Sequence, residues 1–266
     1  MPRVSVTAGY YRRDFYNIQV NDNLNLAPSD WITPYSIPTP TDSRLPASGQ
    51  AINLYSLNPA KVGIASDTVV TYSSINKTTY NGVEFTANAR RNKFIVFGGV
   101  TVDKRLSTTC DDRDSLNDLR FCDAPQPFRT TFKASAAYTL PWDINVSGSF
   151  AAIPGPAVAA NYTVTSAIAG RPIIGSTAGA ASLVINLVQP GTLFLDYQNR
   201  LDLRFGRTFR FNQNKFQVFA DVFNVLNAGT VLTVNQTYAA SGANAWMTPA
   251  TIMDGRYVRF GLQINF

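Results

Sequence analysis

The sequence predicts an all-β protein made of about eight long antiparallel strands, for two reasons. Apolar and polar residues alternate with a period of two in several stretches, and short and long connections alternate between those stretches. Only 15% of the 266 residues are charged and 12% are aromatic. An ordinary soluble protein has about 25% charged residues, and a disordered chain has few aromatic ones. The composition therefore favours an ordered chain with unusually apolar strands.

The closing residues 255–266 alternate most strictly. Their apolar positions share one face: Val258, Phe260, Leu262, Ile264 and Phe266. Residues 200–211 and 142–152 repeat the pattern, and in these three stretches only Arg207 breaks the apolar face. Weaker alternation covers 3–10, 83–90, 131–139 and 217–223, while residues 94–102 are apolar on both sides. Together these stretches give about eight strands of about 10–12 residues, the length of a tilted strand that crosses a bilayer.

The connections are unequal in length. Three are tight, around residues 91–93, 140–141 and 212–214, and four are long, at 21–78, 103–127, 153–199 and 235–254. This alternation is typical of a transmembrane β-barrel with short periplasmic turns and long extracellular loops. Some of the long segments are expected to contain extra short strands. A soluble sandwich uses shorter strands, and no run of about 18 apolar residues offers a membrane-spanning helix.

Aromatic residues cluster near the tight turns. They are Phe94, Tyr138, Trp142, Phe211 and Phe216, and all but Phe94 clearly lie on the apolar face of their strands. Aromatic side chains collected at one rim of a barrel form an interfacial girdle. We therefore predict a periplasmic aromatic girdle from these five residues.

The polar face carries charges, which suits a water-filled lumen. The predicted lumen-facing residues are Glu84, Arg90, Lys133, Asp202, Arg204, Arg210, Asp221 and Arg259. Charges near the midplane of a lipid-facing surface cost about 2–4 kcal/mol, so their segregation to one face is the favourable arrangement. These side chains either pair across strands and stiffen the wall, which is the more ordinary interpretation, or guide a solute.

Other site chemistry is sparse. Cys110 and Cys122, the only cysteines, are expected to form a disulfide that closes a loop of about 13 residues. The aspartates between them are interpreted as a solvated loop rather than a calcium site, because they lack the spacing of a calcium-binding loop. The chain has no histidine, which excludes histidine-based catalysis and metal sites. We expect no enzyme activity, cofactor or metal, and the scattered basic residues behind the net charge of +6 do not indicate nucleic-acid binding.

Four runs resemble one known family, the TonB-dependent outer-membrane receptors, in particular the large Oar-like kind with a carboxypeptidase-regulatory-like N-terminal domain. They are 2–6 running into 9–13 (PRVSV, GYYRR), 80–84 (YNGVE), 221–227 (DVFNVLN) and 254–266 (DGRYVRFGLQINF). The resemblance implies a 22-stranded barrel with an N-terminal plug and a TonB box. Residues 1–266 would then be the C-terminal barrel portion, without plug or TonB box, and Met1 would be an internal methionine of a longer product.

The resemblance also implies a function and partners. The function would be uptake of a scarce large solute such as a siderophore, glycan or peptide across the outer membrane of a Gram-negative cell. The partners would be outer-membrane lipid, the barrel-assembly machinery, which reads a closing strand like Val258 to Phe266, and the TonB complex through the missing N-terminal part. Two alternatives remain open: a stand-alone eight-stranded barrel with adhesin or binding loops, and a soluble secreted β-domain that binds glycans. Strands 3–12 and 255–266 are expected to pair with each other or to leave an open, curved sheet.

Overall fold

A computed structural model describes residues 3–111, 114–174, 182–211 and 214–265. The predicted all-β class is confirmed, because within these ranges the one α-helix, α1 (Ser166–Ala169), is a single turn. In chain order, the strands are β1 (Arg3–Phe15), β2 (Ile18–Asn23), β3 (Trp31–Pro38), β4 (Ala51–Leu57), β5 (Thr68–Ser73), β6 (Lys77–Arg91), β7 (Phe94–Thr108), β8 (Asp123–Ala124), β9 (Arg129–Thr139), β10 (Ile144–Ile153), β11 (Asn161–Thr165), β12 (Ser182–Asn186), β13 (Gln198–Phe211), β14 (Asn214–Phe223), β15 (Val231–Val234), β16 (Pro249–Ile252) and β17 (Tyr257–Asn265). Short 3₁₀ turns cover Pro28–Asp30, Pro59–Lys61, Asp118–Phe121 and Pro141–Asp143.

Eight long strands form the principal sheet, as the alternation predicts. Their order is β1-β6-β7-β9-β10-β13-β14-β17, every pair is antiparallel, and the two-residue β8 pairs with the end of β7. β1 and β17 lie at the two ends of this order, and no pairing joins them in the described ranges. Of the two expected outcomes, closure or an open sheet, the structure has the open sheet.

Several strands are longer than the sequence pattern predicted, and β6 and β7 exceed it by the most. β6 begins at Lys77 and β7 ends at Thr108, whereas alternation supported only 83–90 and 94–102. Apart from Leu106, the added part is largely polar on both sides and is held by strand pairing, with the hydroxyls of Thr78 and Ser107 3.2 Å apart across the two strands. Polar pairing of this kind leaves no periodic apolar signal in the sequence.

The predicted strand 142–152 begins later than expected. β10 starts at Ile144, and Trp142 lies in the preceding 3₁₀ turn. Pro141 has no N–H to donate to a strand ladder, and Trp142 and Asp143 adopt φ values of 61° and 54°. The side chain of Trp142 is 77% exposed. Its position at the rim therefore depends on the turn and not on strand alternation.

The strand register separates two faces of the sheet, since directly paired residues share a face. On the apolar face Phe94 lies opposite Tyr138, which settles the ambiguous facing of β7. This face is open to solvent: Phe260 is 79% exposed and Leu262 is 62% exposed. A soluble sandwich covers such a face with a second sheet, whereas no strand pairs or packs over it in the described part of the chain.

The long connections contain four small two-stranded antiparallel sheets, so the expectation of extra short strands in them is confirmed. The pairs are β2–β5, β3–β4, β11–β12 and β15–β16. We refer to the described residues of 16–76, 109–128, 154–197 and 224–256 as the loop assembly. It contains the main buried apolar cluster of the described chain, which consists of Ile37, Leu45, Ile52, Leu54, Val158, Ala160, Val164, Ile173, Ile185, Leu187, Val188, Val234, Tyr238 and Trp246. The hydrophobic core therefore lies beside the sheet's loop end and not on either face of the sheet.

Polar contacts join the segments of the loop assembly. Arg44 donates from Nη1 to the Trp246 carbonyl at 2.9 Å, and Trp246 donates from Nε1 to the Ala159 carbonyl at 2.8 Å. Arg44 also contacts the carboxylate of Asp42 at 2.7 Å, and this hydrogen bond lowers the pKa of Asp42 to about 2. Three long segments are thus held together around one buried tryptophan.

Candidate functional site

The charged residues predicted to face a lumen do share one face of the sheet. The register pairs Ser147 with Arg204, Arg204 with Asp221, and Asp221 with Arg259 along one cross-strand row. By the same pairings the remaining predicted residues, Glu84, Arg90, Lys133, Asp202 and Arg210, lie on this face. We call it the polar face.

Asp221 is the most enclosed charge on the polar face, with a side chain only 5% exposed. It pairs with Arg204 on one side and accepts from Nη2 of Arg259 at 2.6 Å on the other. The two guanidinium groups lie 4.4 Å and 5.2 Å from the ring centroids of Phe219 and Phe223. This arrangement ties β13, β14 and β17 together, so for these three charges pairing across strands is the better description.

Asp202 and Arg210 also have partners. Asp202 contacts Arg200 at 2.9 Å on its own strand and accepts a hydrogen bond of 2.8 Å from the backbone N–H of Asn224. Arg210 lies 3.5 Å from Asp143, and both side chains are well exposed. The Asp202 contacts fix the end of β14, whereas the exposed Arg210 pair is worth little to stability.

The other three predicted charges behave differently. Glu84, Arg90 and Lys133 form no ion pair within 4.0 Å in the ranges that the structure describes. Glu84 is half-buried, while Arg90 and Lys133 are exposed. These side chains are therefore the predicted polar-face charges that can meet a solute without losing a partner in the described chain.

Glu84 lines a cavity of about 710 Å³ at the loop end of β1, β6 and β7. Its walls are aromatic and basic, and they include Tyr11, Arg13, Phe15, Tyr80, Glu84 and Arg105. Arg13 and Arg105 were missed by the sequence analysis because strands 3–10 and 94–102 end short of them. Continuing the alternation of β1 past Tyr11 would have placed Arg13 on the polar face.

A second cavity of about 560 Å³ lies under the β15–β16 hairpin on the same face. Phe223 and Tyr257 stack there with ring centroids 4.7 Å apart, and Lys133 and Asp202 also line it. Of its two basic side chains, Arg200 is already paired with Asp202 and Lys133 has no ion-pair partner in the described ranges. The first cavity therefore has the larger unpaired charge.

The residues of the predicted aromatic girdle lie near the ends of the strands that the tight turns connect. Phe94 and Tyr138 are directly paired, with ring centroids 6.4 Å apart, and Phe216 is paired with Phe209 and Ile264. Phe211 is 74% exposed.

Val258, Phe260, Leu262 and Ile264 of the predicted assembly signal share the apolar face, and Phe266 lies outside the described residues. The residues are placed as a girdle requires, and their roles remain predictions.

Cys110 and Cys122 form a disulfide in the loop assembly. Within the loop that it closes, Asn117 makes two hydrogen bonds to the backbone of Tyr55, and the carbonyl of Asp114 accepts one from Nε1 of Trp31. The loop therefore fastens segment 109–128 to segment 16–76. No group of three acidic, cysteine or histidine side chains in the described ranges could hold a metal ion, and Asp112 lies outside those ranges.

Comparisons with known proteins give little further information. No family model matches the chain, and no curated protein matches it significantly. Among solved structures the chain is similar to the outer membrane transporter YddB from Escherichia coli, with 13% identity, a TM-score of 0.47 and 97% of this chain covered. The chain spans about 30% of the length of that transporter, and a likeness this distant carries no argument by itself. In the described ranges no helix is long and apolar enough to cross a membrane.

Proposed function

We propose that the chain is the C-terminal barrel portion of an outer-membrane transporter of the TonB-dependent, Oar-like kind, which takes up a scarce large solute. The observation that carries this proposal is the principal sheet itself. One of its faces is largely apolar, uncovered and rimmed by aromatic side chains, and the other carries most of the charges. A bilayer against one face and a water-filled lumen against the other would satisfy both.

The same proposal assigns the environment of each part. The tight turns lie on the periplasmic side and the loop assembly lies outside the cell. The free edges of β1 and β17 pair with further strands of a longer barrel, because an unpaired strand edge is not viable in lipid. Partners are outer-membrane lipid, the barrel-assembly machinery and, through a plug domain, the TonB complex. The proposal contains no catalytic step.

The two alternatives agree less well with the observed strand pairing and exposure. A stand-alone eight-stranded barrel needs β1 paired with β17, and no such pairing occurs in the described ranges. A soluble glycan-binding domain needs the apolar face to be covered, yet Phe260 and Val6 on that face are 79% and 71% exposed. Lipid quenching distinguishes the soluble alternative from the proposal, and the upstream reading frame distinguishes the stand-alone barrel.

The test uses the three tryptophans of the chain as depth markers. In vesicles made with brominated lipid we expect strong quenching of Trp142, which lies at the turn rim, and none of Trp246, which is 1% exposed inside the loop assembly. Replacement by Trp142→Phe should abolish the quenching, and the matched Trp31→Phe change should not.

A monodisperse chain without detergent, with no quenching of Trp142, would contradict both membrane interpretations. The reading frame upstream of the Met1 codon tests the receptor part of the proposal. An in-frame plug domain with a TonB box is expected there, and a stop codon directly before the Met1 codon would contradict it.

A further inference from the structure

We infer that the cavity bounded by β1, β6 and β7 binds a dipolar solute, which places an anionic group between Arg13 and Arg105 and a cationic group at Glu84. A short peptide with free termini has this chemistry. The inference rests on the proposed function, because it names the solute class and the place on the polar face where such a solute binds. It is carried by a comparison between two rows of the same sheet.

In the first row, the anion is a side chain of the protein, Asp221. Arg204, Asp221 and Arg259 are directly paired on three neighbouring strands, and the central carboxylate contacts both guanidinium groups. Neighbouring strands are about 4.8 Å apart, so two arginines separated by one strand lie about 10 Å apart at their Cα atoms. At that spacing one carboxylate between them reaches both.

The second row has the same arrangement but contains no carboxylate, and Asp103, two residues before Arg105 on this face of β7, forms no ion pair with either arginine of the row in the described chain. Arg13, Tyr80 and Arg105 are directly paired on β1, β6 and β7, so a neutral phenol takes the place that Asp221 has in the first row. Neither arginine forms an ion pair or a side-chain hydrogen bond within the described chain, and both are exposed. A carboxylate or phosphate between them would make the charge-assisted hydrogen bonds that the first row makes internally.

The cavity adds a second pole and apolar walls. Glu84 lies four residues from Tyr80 on the same face of β6, which is about 13 Å along the strand. Its paired neighbours are Gly9 and Thr101, so neither neighbour neutralises it. Tyr11 and Phe15 line the same space. An extended chain of about four residues spans that distance between its termini.

The experiment measures binding of tetra-alanine with free termini to the full chain in detergent micelles by calorimetry. Arg13→Gln and Arg105→Gln should each weaken the affinity at least about tenfold, and amidation of the peptide's C-terminus should have the same effect. Glu84→Gln should weaken binding of the free peptide but leave binding of the N-acetylated peptide unchanged. The matched control is Arg12→Gln, on the opposite face of β1, which should change the affinity less than twofold.

Each outcome decides the inference. Equal affinity for free and doubly capped peptide, or no effect of the two arginine changes, would overturn it. Inorganic phosphate is a second probe: competition by phosphate together with no effect of Glu84→Gln would mean an anion site alone and would overturn the dipolar assignment. Quenching of Trp142 is measured for the same protein variants in vesicles made with brominated lipid. Lost peptide binding with intact quenching contradicts only this inference, whereas lost quenching contradicts the proposed function.

Discussion

Asp221 shows how a single side chain organises the polar face. It is nearly enclosed, yet its two arginine partners are 46% and 57% exposed in their side chains. Its two oxygens accept four charge-assisted hydrogen bonds, two from Arg204 and two from Arg259, whereas a neutral amide of the same size has a single acceptor oxygen. Its contribution is therefore to the pairing of β13, β14 and β17.

We predict that Asp221→Asn lowers the free energy of unfolding by about 1–2 kcal/mol. The amide loses two charge-assisted contacts, and the loss is moderate because water still reaches both guanidinium groups. Urea unfolding in detergent micelles, followed by circular dichroism, measures the change. The matched control is Asp143→Asn, whose exposed pair with Arg210 should contribute nothing measurable; an equal effect of both changes would contradict the prediction.

At the scale of elements, the disulfide loop acts as a fastening between two long segments. The bond between Cys110 and Cys122 fixes the ends of the loop, and Asn117 inside it makes two backbone hydrogen bonds to Tyr55. The backbone N–H of Asn23 adds a 2.9 Å bond to the carboxylate of Asp114. The loop and hairpin β3–β4 should therefore be stabilised together.

We expect reduction of the disulfide to loosen this fastening and leave the principal sheet intact. Closing a loop of about 13 residues contributes about 3 kcal/mol in the chain-entropy description. Hydrogen exchange should accelerate at the amides of Tyr55 and Asn23 but not in β13. The double change Cys110→Ser with Cys122→Ser should reproduce the effect without reductant. Unchanged exchange at both amides would show that the loop holds without its disulfide.

The elements of the principal sheet could be predicted and those of the loop assembly could not, for a physical reason. A strand with lipid on one side and water on the other must alternate along its length, and β17 does so over its whole length. The polar ends of β6 and β7 carry no such signal, and Trp142 is displaced by Pro141. The charges of Arg204, Asp221 and Arg259 were assigned to the correct face, but their pairing needed the strand register.

The core of the loop assembly could not be predicted from local sequence patterns. Its contacts join residues far apart in the sequence, such as Arg44 and Trp246, which are 202 positions apart. Each two-stranded sheet of the loop assembly is short and contains both apolar and polar residues, and its apolar residues are buried only against the other segments. Arg13 and Arg105 were missed for a related reason, since their row forms only when β1, β6 and β7 are aligned.

The whole molecule has two parts stabilised in different ways. The principal sheet exposes its apolar face, whereas the loop assembly encloses an apolar cluster as soluble proteins do. In the proposed membrane setting, lipid supports the first part and internal packing supports the second. Conditions that weaken internal packing should therefore affect the loop assembly and spare the sheet.

Acid provides such a condition. The hydrogen bond from Arg44 lowers the pKa of Asp42 from 3.8 to about 2. A carboxyl group whose pKa is lower in the folded state stabilises that state above pH 3.8, and the contribution is lost as the pH falls through about 2. We predict that the fluorescence of Trp246 shifts to the red in this window, in a Trp31→Phe, Trp142→Phe background, while circular dichroism of the strands persists.

The control for this prediction is Asp42→Asn, which removes the titrating group. This variant should start from a less stable loop assembly and show a flatter acid response of the Trp246 signal. Equal acid responses in the two proteins would assign the change to other carboxyl groups. A simultaneous loss of strand signal would contradict the separation of the two parts.

The separation of Arg44 and Trp246 in the sequence also determines the order in which parts of the protein fold. Strand pairs such as β6–β7 and β13–β14 need only their own few connecting residues, so they form early. The contacts of Trp246 with Arg44 and Ala159 need nearly the whole chain to have been synthesised and its strands to be in place. The loop assembly is therefore the last part to mature, and until then its apolar segments are available to chaperones and proteases.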